Sequence, residues 1–310
     1  MKQLLILWLA VGSFIVGCDK KDDFTEPELP APILENLELG LADAGIGVIA
    51  EDFHFEADVV AAERLDVVTV DIVQKSGTTY SKPWSHQIVW DQYKGLKNTN
   101  IHKHFKIPDD AAEGKYDLIV TITDENGAKL EIKRDFEIFS RSTLPNRPTI
   151  TGIYAHRNWK KLYDSHVDSL FAENTRFVKG DSLQVQVNVS FVKGDGQLYI
   201  LLINKQSGHQ PQTISEIDFD KAIVYDVFAH KGEQVAYDFS NSIFDFETFT
   251  VVRDIVDLPI GAALDNNTPK PLPITGDKAW KSGEYDVVIL YHNETINKTL
   301  RKTIPISVQM

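Results

Sequence analysis

The sequence predicts an all-β protein built from two tandem β-sandwich domains, and two observations lead to this prediction. Apolar and polar residues alternate along residues 53–59 and 183–189, which is the period of a half-buried antiparallel strand. A weak internal repeat pairs Gly-Lys-Tyr at residues 114–116 with Gly-Glu-Tyr at residues 283–285. Because a domain typically has about 100 to 200 residues, a chain of 310 residues with one repeat predicts two copies of one fold.

Residues 1–17 are typical of an export signal. An apolar run at residues 4–16 follows Lys2 and is too short to cross a bilayer core of about 30 Å. The run leads into Ile-Val-Gly-Cys at residues 15–18, which resembles the lipobox of bacterial lipoproteins, and Cys18 is the only cysteine in the chain. We therefore expect residues 1–17 to be a signal peptide and Cys18 to be the lipidation site.

Residues 18–31 are expected to form an acidic, proline-rich tether. Prolines at positions 27, 30 and 32 favour extended backbone, and the charged residues keep the segment in water. The Lys-Asp-Asp run at residues 21–23 resembles the export signal that sends Bacteroidota-type lipoproteins to the cell surface. The expected location is the outer membrane, with the lipid anchor as the membrane contact and other surface proteins as partners. A net charge of −13 offers no basic surface to phosphates, so nucleic acid is not an expected partner.

We expect the remaining chain to divide into an immunoglobulin-like domain at residues 32–140, a linker at residues 141–147, and a second immunoglobulin-like domain with insertions at residues 148–310. About seven strands in each copy suit such a sandwich. Tyr116 and Tyr285 lie near the start of the sixth strand, where immunoglobulin-like sandwiches carry a tyrosine corner.

Insertions account for the greater length of the second copy. Apolar residues at helical spacing along residues 159–171 predict a short amphipathic helix that covers one end of the sandwich. Residues 265–275 contain three prolines and predict a surface loop.

Histidines in the predicted strands of the first domain are candidate metal ligands. Because strand side chains alternate, His102 and His104 share one face, and His54 also points away from the core. The strands that carry them are expected to be neighbours, so the three imidazoles converge on one outer surface. Such a set with an open position binds zinc or copper, and His86 is a candidate fourth ligand. The alternative is a group of ordinary solvated histidines, since the second copy carries other residues at the aligned positions.

Four segments of the first domain carry a family resemblance. They are Phe-His-Phe-Glu-Ala at residues 53–57, Ile-His-Lys-His-Phe-Lys-Ile-Pro at residues 101–108, Gly-Lys-Tyr at residues 114–116, and Thr-Ile-Thr-Asp-Glu-Asn-Gly at residues 121–127. On these segments the chain resembles the lipoprotein family catalogued as domain of unknown function 4625. The resemblance implies histidine-rich strands and no established activity. Asp117 and Ile119 stand where members of that family often carry further histidines.

Aromatic residues form a second candidate ligand surface. Tyr80, Trp84, Trp90 and Tyr93 cluster in one stretch, from which they can stack on a sugar ring or a porphyrin. The alternative is that they belong to the core or its rim.

The predicted function is that of a non-enzymatic surface lipoprotein, a ligand-binding or accessory module with zinc or copper as the expected cofactor. The alternatives are a structural or adhesion spacer without a small-molecule site, and a glycan-binding module that uses exposed aromatic residues. A hydrolase is disfavoured. Gly-Asp-Ser-Leu at residues 180–183 matches the opening block of GDSL-type esterases, but no Asp-x-x-His follows to supply a base.

Overall fold

The computed structural model describes residues 30–245 and 247–310. Within these residues the chain has nineteen strands, five short 3₁₀ turns and no α-helix, so the predicted all-β class is confirmed. No helix in this part of the chain is long and apolar enough to cross a membrane. The predicted signal peptide, the lipidation site Cys18 and most of the predicted tether lie outside the described residues.

The first part of the chain forms two sheets. Its strands are β1 (Ile33–Leu39), β2 (Ile46–Val48), β3 (Asp52–Val60), β4 (Leu65–Gln74), β5 (Ser85–Trp90), β6 (Asn98–Lys106), β7 (Gly114–Asp124) and β8 (Lys129–Phe139). One sheet has the order β1-β3-β6 and the other has the order β2-β8-β7-β4-β5. The 3₁₀ turn Leu41–Asp43 connects β1 to β2.

The second part forms a nine-stranded sheet and a separate hairpin. Its strands are β9 (Thr149–Arg157), β10 (Lys160–Asp164), β11 (Ser169–Leu170), β12 (Arg176–Val178), β13 (Ser182–Asn204), β14 (Ala222–Ser240), β15 (Ile243–Asp245), β16 (Thr250–Arg253), β17 (Leu258–Pro259), β18 (Gly283–Asn293) and β19 (Lys298–Gln309). The hairpin consists of β15 and β16. The 3₁₀ turns are Ala172–Asn174, Lys205–Ser207, Ile214–Glu216 and Gly276–Lys278.

Strand pairing repeats between the two parts. In the first, β1 pairs with β3, β4 with β7, β7 with β8, and β2 runs parallel to β8. In the second, β9 and β18 pair with successive halves of β13, β18 pairs with β19, and β12 runs parallel to β19. The long strand β13 therefore occupies the places that β3 and β4 fill in the first part. The predicted internal repeat is visible in this pairing.

The two sheets of the first part face one another across an apolar core. Phe53 on β3 meets Phe136 on β8 with ring centroids 5.2 Å apart, and Phe55 meets Trp90 at 4.8 Å. This packing is that of a β-sandwich, because each sheet buries one face against the other.

Both tyrosines predicted at a corner are buried and bonded as expected. The hydroxyl of Tyr116 donates to the carbonyl of Ala112 at 2.6 Å, and that of Tyr285 donates to the carbonyl of Lys281 at 3.1 Å. Each bond returns to the backbone four residues upstream, as in a tyrosine corner. The assignment to the immunoglobulin-like fold in particular stays a prediction.

The predicted helix at residues 159–171 is wrong. This segment contains strands β10 and β11, and β10 pairs antiparallel with β9 at the edge of the large sheet. Asn158 and Trp159 both have positive φ angles, 51° and 63°, and such a pair of residues matches the twist of a two-residue hairpin turn. The hairpin turn therefore sets the structure of this segment, and Leu162 reaches the core from a strand.

The segment predicted as a linker, residues 141–147, is packed. Leu144 is fully buried in a cluster with Ile46 and Val48 from the first part and with Phe191 and Ala236 from the second. Burial of apolar surface stabilises the contact between the two parts. The division into domains at this segment stays a prediction.

Candidate metal site

Strands β3 and β6 place three histidines side by side. In their antiparallel register His54 lies opposite His104, and Glu56 lies opposite His102. Phe53 and Phe55 flank His54 in sequence and are buried, so the alternation of the strand turns the imidazole outward. The prediction that these three histidines share one face of neighbouring strands is confirmed.

Nitrogens of the three imidazoles approach one another as metal ligands do. One ligand atom from each of His54, His102 and His104 lies within 4.8 Å of the others. His54 Nδ1 and His104 Nε2 are 3.5 Å apart. A tetrahedral zinc ion with Zn–N distances of about 2.0 to 2.1 Å holds its ligand nitrogens about 3.4 Å apart. The observed separation suits one shared ion.

Carboxylates contact the opposite side of the imidazoles. Asp52 Oδ2 lies 2.6 Å from His104 Nδ1, and Glu56 Oε2 lies 3.3 Å from His102 Nδ1. The same oxygen of Glu56 is 3.7 Å from His54 Nε2. A carboxylate that accepts a hydrogen bond from one ring nitrogen fixes the ring and leaves the other nitrogen for a metal. The contacts with Asp52 and Glu56 therefore leave Nε2 of His104 and His102 as ligand atoms, and the approach of His54 Nδ1 to His104 Nε2 makes it the third.

Burial differs among the three side chains and affects the charge of His54. The His54 side chain is 12% exposed, whereas those of His102 and His104 are 55% and 50% exposed. Burial lowers the pKa of His54; the carboxylate of Glu38 opposes this effect, and the two neighbouring imidazoles reinforce it. His54 therefore stays neutral at physiological pH, as a metal ligand must.

Glu38 is a further donor beside His54, in a second group that the sequence prediction did not include. Glu38, His54 and Glu56 also offer ligand atoms within 4.8 Å of one another. Glu38 pairs with Glu56 across β1 and β3, after a register shift that begins at Glu35. Asp52 and Glu56 were missed as well, although the period-two alternation that selects His54 also selects them.

The expected fourth ligand, His86, is not at this site. It lies on β5 at the edge of the five-stranded sheet, and its ring stacks on Trp84 with centroids 6.0 Å apart. Strand β5 pairs with β4 rather than with β3 or β6, so the two sheets separate His86 from the histidine cluster.

The four residues of the predicted aromatic ligand surface pack against the core or its rim. Trp90 is buried against Phe55. Tyr80 and Trp84 both contact the ring of Tyr116, each at a centroid distance of 5.4 Å. Tyr93 packs on the rim of the same core, with the ammonium of Lys103 5.6 Å from its ring centroid. These contacts agree with the alternative interpretation, in which the four residues belong to the core or its rim.

A cavity of about 230 Å³ adjoins the histidines. His54, His104 and Asp52 line one side of it, and Asp238 from β14 lines another. Arg141 also lines the cavity, but it forms an ion pair with Glu51. His54 and His104 face this cavity, so it gives an ion held by the three imidazoles room for an exchangeable ligand.

A β-sandwich with an outward histidine cluster is the class of protein that these observations define. Residues 16–139 match the family described as domain of unknown function (DUF4625). This match confirms the family resemblance of the motifs for residues 16–139.

Other comparisons give no further assignment. No functionally curated protein matches this chain. Dimeric latent PorU from Porphyromonas gingivalis is 10% identical with a TM-score of 0.27, and the match covers 93% of this chain and 21% of that one. A Ca²⁺-stabilized adhesin that helps an Antarctic bacterium bind ice is 12% identical with a TM-score of 0.21, and the match covers 90% of this chain and 49% of that one. This chain thus spans half or less of the length of either protein.

Proposed function

We propose that this protein is a lipid-anchored, surface-exposed lipoprotein of the outer membrane whose first domain binds zinc or copper through His54, His102 and His104. The observation that carries the proposal is the approach of three imidazoles within 4.8 Å, two of them held by carboxylates. Neutral imidazole is a ligand of borderline metals, whereas calcium and magnesium prefer oxygen. The role is one of binding, in a ligand-binding or accessory module.

Calorimetric titration of the full-length protein in detergent with zinc or copper tests the metal site. We expect one ion to bind per chain at pH 7.5, and little competition from calcium or magnesium. Replacing His54, His102 and His104 together with Ala should abolish binding. His86→Ala is the matched control, because this histidine lies on the other sheet and should leave the affinity unchanged.

Two results would contradict the metal assignment. Equal binding by the wild type and the triple variant would show that the ion binds elsewhere on the protein. No binding by the wild type would leave these residues as solvated strand histidines, and a structural or adhesion spacer would then be the better description.

Membrane anchoring depends on Cys18, the single cysteine at the end of the apolar leader. The acidic, proline-rich segment that follows supports the same proposal, since it suits a spacer between a membrane and a folded domain. Cys18→Ala should release the protein from the membrane fraction into the soluble fraction of the cell envelope. A variant that stays in the outer-membrane fraction through a carbonate wash would rule out lipid anchoring as the cause.

A further inference from the structure

A cleft of about 750 Å³ opens in the second part of the chain, where the long strands β13 and β14 bend together. The pairing of the two strands shifts three times between Val189 and Gly196. Phe191 and Gly194 have positive φ angles at this bend, 59° and 71°. Such irregularities bend a strand pair and twist it more strongly. The strand β15 closes one side, and the volume lies in the range of about 300 to 1,000 Å³ usual for small-molecule sites.

Aromatic rings form the apolar part of this cleft. Phe228 and Phe239 stack with ring centroids 5.2 Å apart and planes inclined by only 12°. Phe244 on β15 is 43% exposed at the rim, and the half-buried Tyr237 lines the cleft as well. Phe239 is only 2% exposed and Arg253 lies over the ring of Phe228, so Phe244 and Tyr237 supply most of the ring surface that a ligand meets.

Uncharged polar groups line the rest of the cleft together with two carboxylates. Gln186 Nε2 donates to Asn188 Oδ1 at 3.2 Å, which leaves the carbonyl of one amide and the NH₂ of the other for a ligand. The hydroxyl of Tyr237 has no hydrogen-bond partner within residues 30–245 and 247–310. In the same ranges Glu233 and Asp238 form no ion pair. The cleft therefore offers both donors and acceptors.

Charge restricts the chemistry of the ligand. No Lys or Arg is among the described residues that line the cleft. The histidine there, His230, is buried and bonded to Tyr291 and to the carbonyl of Gly194, and burial lowers its pKa. The two carboxylates of the lining disfavour an anionic ligand, because Arg253, whose guanidinium lies over the ring of Phe228, is paired with Asp226. An organic cation would use the carboxylates and the rings but would leave the amide NH₂ and the tyrosine hydroxyl without acceptors.

We propose that this cleft binds a neutral saccharide. A sugar ring presents an apolar face of C–H groups, which packs on aromatic rings, and hydroxyls that both donate and accept hydrogen bonds. Phe244 and Tyr237 supply the ring contacts, while Gln186, Asn188 and Glu233 supply partners for the hydroxyls. This site is separate from the histidine cluster, and its ligand does not depend on a bound metal.

Titration calorimetry on the full-length protein tests the proposal, in a detergent without a sugar headgroup. The neutral probes are oligosaccharides of hexose, pentose and N-acetylhexosamine units; trigalacturonate is the anionic probe and choline the cationic one. We expect at least one neutral probe to bind. Phe244→Ala should weaken it about tenfold, and Tyr237→Phe, which removes only the hydroxyl, about threefold to tenfold.

Trp159→Ala is the matched control, because this aromatic also belongs to the second part, is 59% exposed and does not line the cleft. It should leave the affinity unchanged. Asp238 is kept intact, since it also lines the cavity beside the histidines. The proposal is overturned if no neutral probe binds at millimolar concentration, if choline or trigalacturonate binds in their place, or if Phe244→Ala and Tyr237→Phe bind as the wild type does.

Discussion

Replacing Asp52 with Asn perturbs the carboxylate nearest to the proposed metal ligands while keeping the shape of the side chain. Asp52 Oδ2 lies 2.6 Å from His104 Nδ1, and this contact directs Nε2 of the same ring toward His54. The carboxylate also makes the imidazole a stronger donor to a metal, because its negative charge favours electron density on the ring. The amide oxygen of Asn can still accept the hydrogen bond, but the charge is lost.

The size of the expected loss in zinc affinity follows from the exposure of Asp52 and His104. Loss of an outer carboxylate typically weakens metal affinity about 10- to 100-fold. Asp52 is 64% exposed and His104 is 50% exposed, so water screens the interaction and the lower end of that range applies. We expect zinc affinity to fall about tenfold, which corresponds to about 1.4 kcal/mol.

Competition with a chromophoric zinc chelator at pH 7.5 measures this change. Asp58→Asn is the control, because Asp58 lies on the same face of β3 and carries the same charge. It bonds to Asn36 and Asn100 and contacts no histidine. If Asp58→Asn and Asp52→Asn weaken zinc binding equally, general electrostatics would explain the loss. Unchanged affinity in Asp52→Asn would refute the orienting role of the carboxylate.

Two further predictions concern stability. Lys278→Met should lower the free energy of unfolding in urea by about 3 to 5 kcal/mol, because it leaves the buried carboxylate of Asp265 without its partner at 2.9 Å. The exposed pair of Lys221 and Asp218 supplies the control, and a loss in Lys278→Met as small as that in Lys221→Met would contradict this reasoning. Burial lowers the pKa of His230, so between that pKa and about 6.5 the unfolded chain binds more protons than the folded one. The metal-free protein should therefore lose stability as pH falls below about 6.5. Thermal melting over this pH range in which the His230→Gln variant loses as much stability as the wild type would count against this cause.

The outward face of the histidine cluster could be derived from the order of residues alone. Strand alternation depends only on sequence position, so His102 and His104 had to share a face once β6 was recognised. The partner strand was inferred from the expected sandwich, and the structure confirmed it through the pairing of His54 with His104. The same period would also have selected Asp52 and Glu56.

Other parts of the site depend on how strands are arranged in space. Glu38 reaches His54 only because a register shift in β1 sets it opposite Glu56. His86 fails to reach the cluster because β5 joins the other sheet. Sheet membership and register arise from contacts between residues distant in sequence, which a local pattern does not encode.

The sequence by itself determined the all-β class, the internal repeat, the family resemblance of the first part and the face on which three histidines lie, because these follow from local periodicity and short motifs. Only the tertiary structure decided that residues 159–171 form strands, since a turn at Asn158 and Trp159 and an open sheet edge outweigh helical spacing. It also decided that Trp90 belongs to the core and that the bent pair β13–β14 forms a cleft. Burial and curvature come from the packing of whole sheets, and such packing is set by many distant residues together.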